Sequence, residues 1–206
     1  MTREEVTTKL FEQLQPHLPG FKPQKKEESL ARRITGGTQF IGLALIDHRP
    51  LFKFSLPVSI RIEEVEEIIN RFAGSPPKYH RLTRTTGTLL SYFYGESDKK
   101  EFKIQSPEDI EAAIAGVAPV IRDRIIPFLD SHQSVQSLDA VMNGPEGARF
   151  DRTNPPYRQM HGLILARLAG NPRFDALAEA ALVEARGWQP HDGKKLEALV
   201  AHLRTL

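Results

Sequence analysis

The chain contains no cysteine, and that absence removes disulfides, thiolate nucleophiles, zinc ribbons and iron–sulfur ligation together. No apolar run approaches the length of a membrane span, and the opening Met1-Thr2-Arg3-Glu4-Glu5 is polar and acidic where a secretory signal would be basic and then apolar. These absences predict a soluble cytoplasmic protein without a membrane partner. A strong charge of either sign is missing as well. The formal net charge is only +2, so a basic face for nucleic acid has to be argued from local pattern. Tryptophan occurs once, at Trp188 between two expected helices, where it reads as a pin for the C-terminal segment.

What is present suffices for a core. The 206 residues are 40% hydrophobic, enough for one large domain, or a medium one with an appendage, to fold without metals. Thr2 and Glu5 have capping-box spacing, Val6, Leu10, Leu14 and Leu18 form one stripe, and Pro19-Gly20 ends this first helix. Leu30, Arg32 and Ile34 then alternate with Ala31, Arg33 and Thr35 up to a Gly36-Gly37 hairpin turn. Residues 40–46 are apolar on both alternating sets, which predicts a central strand covered on both faces. After a turn at Asp47-His48-Arg49-Pro50, the even positions from Phe52 to Ile62 are apolar and the odd ones polar. Pro57 cannot donate to a ladder, so this strand is expected at an edge or with a bulge.

An amphipathic helix over 63–73 should turn Val65, Ile68, Ile69 and Phe72 inward and leave Glu63, Glu64, Glu66 and Glu67 on its outer face. Strands are expected near 88–94 and 101–104, joined by a charged turn over 95–100. From the Ser106 cap and Pro107 onward the pattern is helical, with one stripe from Ile110 to Phe128 passing through Pro119 as in a kinked helix. A helix over 135–142, a loop over 145–156 and three short helices complete the chain. The expected fold is α+β: an N-terminal helix, an antiparallel sheet of about five strands beginning with a three-stranded meander, flanking helices and a C-terminal helical tail. The expected domains are 1–144 and a helical subdomain, 155–206, packed on it.

Motifs for chemistry are absent in turn. No Gly-rich run precedes a Lys-Ser or Lys-Thr, and no Gly-x-Ser-x-Gly occurs. His17, His48, His80, His132, His161, His191 and His202 never fall three or four apart, so neither a metal nor another cofactor is indicated. The densest polar stretch runs from Lys78 to Thr88. Its candidate binding residues are Tyr79, His80, Arg81 and Arg84, with Tyr92 extending the patch from the next strand, and together they suit a small anionic ligand. Lys22, Lys25, Lys26, Arg32 and Arg33, with Lys99, Lys100 and Lys103, lack the interleaved aromatics that stack bases, which argues against nucleic acid.

Phe21-Lys22-Pro23 after the first helix, Arg32-Arg33-Ile34, Gln39-Phe40-Ile41 and Phe52-Lys53-Phe54-Ser55-Leu56 resemble small bacterial proteins of a domain-of-unknown-function type. In these a helix leads into Gly-Phe-Lys, a basic strand and a strand with Gln-x-Ile, and some look like immunity proteins of contact-dependent toxin systems. The resemblance lies in the N-terminal part and implies a non-catalytic α+β domain that acts by binding another protein. It transfers no site residues, and it departs in charge, since such immunity proteins often carry an acidic face. Three readings follow: a non-enzymatic cytoplasmic protein that binds another protein; an enzyme or binder of a small anion at the 79–88 loop; and a weak nucleic-acid binder.

Overall fold

Thr2 opens the first helix, α1 (Arg3–Leu14), in both directions that its spacing predicts. Its hydroxyl accepts from the Glu5 backbone N–H at 3.2 Å, and the Glu5 carboxylate accepts from the Thr2 N–H at 2.7 Å. The bond from the Thr2 N–H, helped by the Thr2 hydroxyl beside it, holds the Glu5 carboxyl below its ordinary range. Thr2→Ala should therefore cost about 1 kcal/mol, read as a lower urea midpoint at constant slope; an unchanged midpoint would show the cap to be idle.

The computed structural model describes residues 1–95, 101–145, 147–151 and 154–206. The chain packs as two compact units, Met1–Ile60 with Thr88–His132, and Arg61–Gly87 with Gln133–Leu206. The sequence places a boundary in the 145–156 loop; the units are instead each built from two stretches of chain. Among the described residues no helix is long and apolar enough to cross a membrane.

The fold is α+β, with an antiparallel five-stranded sheet that begins with a meander. The meander is β1 (Lys22–Gln24), β2 (Ser29–Ile34) and β3 (Gly37–Gly42), with Lys22 opposite Ala31 and Leu30 opposite Ile41. Gly36, at φ +71°, makes the predicted tight turn. The order continues through β6 (Val58–Ile62) and β7 (Thr86–Thr88) as β1-β2-β3-β6-β7. A second, three-stranded sheet has the order β4-β5-β8, from β4 (Ala44–His48), β5 (Leu51–Ser55) and β8 (Phe102–Ile104).

Two expected strands are thereby divided. The run 40–46 breaks at Leu43 and the run 52–62 at Leu56-Pro57, because the chain changes sheet at both places. Pro57 is not on an edge strand. It stands at the crossing, where its carbonyl accepts from the Gly42 N–H at 2.8 Å and its missing donor breaks no ladder. The backbones meet closely there: a Cβ on Gly42 would lie 3.0 Å from the Pro57 ring. The inward alternation survives the crossing, with Phe52, Phe54, Leu56, Val58, Ile60 and Ile62 all buried.

The expected strand over 88–94 is replaced beyond Thr88 by a short helix, α3 (Leu90–Tyr94), closed by Gly95 at φ +74°. Leu90 and Phe93 are buried three apart, a helical spacing that the aromatic and β-prone composition of the segment masks. Most of the expected turn over 95–100 lies outside the described residues. Ser106 caps α4 (Pro107–Val120), and the stripe runs on through a π-helical turn, Ile121–Ile125, into α5 (Ile126–Ser131), so Pro119 and Pro127 are absorbed by a change of helical pitch.

In the second unit α2 (Glu63–Phe72) packs with α8 (Tyr157–Leu168) and α10 (Pro190–Leu203). α6 (Val135–Met142) and α9 (Phe174–Ala185) also pack on α8, and α7 (Gly147–Phe150) on α6. Enclosed on several sides, α8 is buried from Met160 through Ala166, His161 included. Leu196, Leu199, Val200 and Leu203 form the predicted buried stripe of α10.

Candidate functional site

The polar stretch singled out by sequence folds as a 3-10 helix, Pro77–Leu82, entered through Ser75-Pro76 and left through the extended residue Thr83. With three residues per turn, side chains three apart eclipse one another, so the turn has three distinct faces. Lys78 and Arg81, both exposed, share one. Tyr79 and Leu82, 48% and 37% exposed, share the second. His80 and Thr83 share the third, which is fully engaged. The His80 Nε2 lies 2.7 Å from the Ser75 carbonyl, and the Thr83 hydroxyl donates to the His80 carbonyl at 2.8 Å. Arg84 donates to the Leu82 and Thr83 carbonyls at 2.7 and 3.2 Å. The Lys78 ammonium lies over the Tyr79 ring, 4.8 Å from its centre.

Arg61, at the end of β6, holds that inner face. Only 10% of its side chain is exposed. Its Nη1 lies 2.8 Å from the His80 carbonyl and 2.9 Å from both the carbonyl and hydroxyl oxygens of Thr83. Its Nε and Nη2 grip Glu63 at 2.9 and 2.7 Å, and Nη1 stands 3.8 Å from Glu66. A rigid guanidinium fork suits such a convergence of fixed acceptors.

Glu66 overturns one expectation outright. The sequence pattern places it with Glu63, Glu64 and Glu67 on the outer face of α2, yet it is 0% exposed. Its Oε1 accepts from the Thr85 hydroxyl at 2.8 Å and lies 3.1 Å from His161 Nε2, while Thr85 in turn accepts from the Ile62 N–H at 2.9 Å. Burial works to raise the Glu66 carboxyl. The bond and charge of His161, with the hydroxyls of Thr83 and Thr85, outweigh it and hold the group below its ordinary range. An ionised carboxylate only accepts, so His161 Nε2 must carry the hydrogen. Glu66 Oε2 and His161 Nδ1 are buried with no hydrogen-bond partner among the described residues.

No family model, curated protein or solved structure matches this chain. Of the predicted residues, Tyr79, His80, Arg81 and Arg84 lie together on or beside the 3-10 turn, with Tyr79 and Arg81 pointing outward and His80 inward. Tyr92 belongs to the other unit and sits on α3 rather than on a strand. Its half-buried ring meets Phe93 and Phe128 edge-on, with centres 5.3 and 6.3 Å away. Arg32, considered above as a cation for nucleic acid, donates to Gln39 at 2.9 Å and pairs with Asp130, with its guanidinium 4.8 Å from the Phe21 ring centre. Among the described residues no group of three or more metal-ligating side chains could hold an ion.

Sequence reasoning missed Arg61, Glu66 and His161. A signal existed for Glu66: Ile62, Val65, Glu66 and Ile69 fall at i, i+3, i+4 and i+7, the spacing of one helical face. For Arg61, which reads as the solvent side of an alternating strand, no local signal exists.

Proposed function

We propose that the chain is a non-enzymatic cytoplasmic protein that acts by binding another protein through the outer faces of the 77–82 turn. The observation that carries this reading is the pairing of an exposed apolar face, Tyr79 with Leu82, and an exposed basic face, Lys78 with Arg81, on a backbone anchored from beneath by Arg61. Tyrosine and arginine are, with tryptophan, the residues enriched in binding hot spots. A backbone already held in place loses little further freedom on association. The charge favours a partner with carboxylates around an apolar recess.

Binding by surface is better supported than capture of a small anion. His80, Thr83 and Thr85 spend their polar groups inward, which leaves few of the expected donors to converge on one oxyanion. Glu66 and His161, the groups that most resemble acid–base machinery, are buried beneath the surface, where a substrate would have no access.

The test is residue-specific photocrosslinking in bacterial cells. A crosslinking residue at Leu82 should trap one dominant protein that is not trapped from Val183, although Val183 is the more exposed of the two at 57% against 37%, and Arg81→Glu should cut that yield at least tenfold. The same adducts from both positions, or none from either, would overturn the reading.

A further inference from the structure

A groove of about 640 Å³ lies along one flank of α1 in the unit formed by Met1–Ile60 and Thr88–His132. The α1 residues that line it recur in steps of three and four from Arg3 to Gln15, so it follows the full helix, about 18 Å at 1.5 Å per residue. That length takes about five residues of extended peptide at about 3.3 Å each. Phe11 and Pro23 give it apolar surface, while Glu4, Thr8 and Glu12 are exposed along its helical wall.

Its charges are not balanced. The Arg3 guanidinium is spent on Glu28, at 3.1 and 2.6 Å, and on the Leu45 carbonyl at 2.7 Å. Gln15 donates its amide to the Phe21 carbonyl at 2.7 Å, and its buried Oε1 has no partner among the described residues. Two exposed carboxylates, Glu4 and Glu12, therefore stand as acceptors, while Lys25 on the opposite wall can donate to a peptide carbonyl. Glu4 and Glu12 are eight positions apart, about 12 Å along the helix. In an extended strand the residues i, i+2 and i+4 share a side, and i to i+4 spans about 13 Å.

We propose that this groove binds an extended peptide segment of the pattern basic-x-apolar-x-basic, with the two cations on Glu4 and Glu12 and the central side chain against Phe11 and Pro23. The site is independent of the 77–82 surface.

Fluorescein-labelled Lys-Ser-Leu-Ser-Lys, blocked at its C-terminus, is titrated with the full chain and followed by anisotropy. It should bind saturably and at least tenfold more tightly than Glu-Ser-Leu-Ser-Glu or Lys-Ser-Ser-Ser-Lys carrying the same label. Thr8→Trp should abolish binding by filling the groove. Glu12→Lys should weaken the basic peptide at least fivefold and strengthen the acidic one, and Leu82→Asp should change neither. Thr8 and Glu12 are both exposed, and circular dichroism confirms that each variant is folded. Equal affinity for the three peptides, indifference to Thr8→Trp and Glu12→Lys, or displacement by an equal concentration of N-acetyl-lysine amide would each overturn the proposal, the last by exposing a site for small cations only.

Discussion

Arg61→Met should cost the chain about 3–5 kcal/mol of folding stability, the range seen when one partner of a buried ion pair is removed. Methionine fills much of the same volume, so the loss is not a cavity effect. It arises because the Glu66 carboxylate loses a cation 3.8 Å away and because the His80 carbonyl and both Thr83 oxygens lose a donor at 2.8 to 2.9 Å. The heavier loss falls on Glu66, whose fully buried Oε2 accepts no hydrogen bond among the described residues and would keep its desolvation cost with no cation beside it. Urea unfolding measures the total, and amide exchange over residues 77–88 locates it. Arg61→Lys should fall between the two, since an ammonium restores charge without the fork. A loss under about 1 kcal/mol, the scale of an ordinary surface contact, would mean that Arg61 is not the clamp. The crosslinking yield at Leu82 should fall with Arg61→Met although no outward residue has changed, because the outer faces would no longer be preorganised.

Glu66→Gln should be nearly as costly at neutral pH, about 3 kcal/mol, with a different signature. The folded-state carboxyl lies below its ordinary value of 4.5. Its favourable contribution is therefore complete above that value and is lost as pH falls through the folded value. The gap between wild type and Glu66→Gln should be widest near pH 7 and should close in acid, as the wild-type carboxyl becomes neutral like the amide. Urea midpoints for both proteins from pH 7 down to pH 3 provide the comparison. Parallel curves would sink the assignment of Glu66 as the ionised centre of the network.

The parts of the fold visible in the sequence are those decided by neighbours in the chain. The Thr2 to Glu5 cap, the Gly36 turn, the Ser106 cap and the Leu196 to Leu203 stripe all depend on spacings of at most seven residues, and all are present. The two sheet changes were hidden for a physical reason. Side-chain alternation is a property of extended backbone and continues unbroken across Leu56-Pro57, so nothing in the pattern records that the hydrogen-bonding partners have changed. The site was legible as a location but not as an arrangement. The composition of residues 78–88 marks them out, whereas which of them face outward is decided by Arg61 and Glu66, on β6 and α2. Glu66 also stayed hidden because a carboxylate inside a stripe is conventionally assigned to solvent, and its tertiary partner, His161, lies far along the chain.

The three-residue period of the 77–82 turn separates two tasks that most surface loops combine. Positions 80 and 83 answer to the interior, while 78, 79, 81 and 82 answer to whatever lies outside. In the partner-binding role proposed for this turn, substitutions at the outer four would exchange one partner for another without disturbing the anchor, so recognition could change while the stability of the scaffold beneath stays as it is.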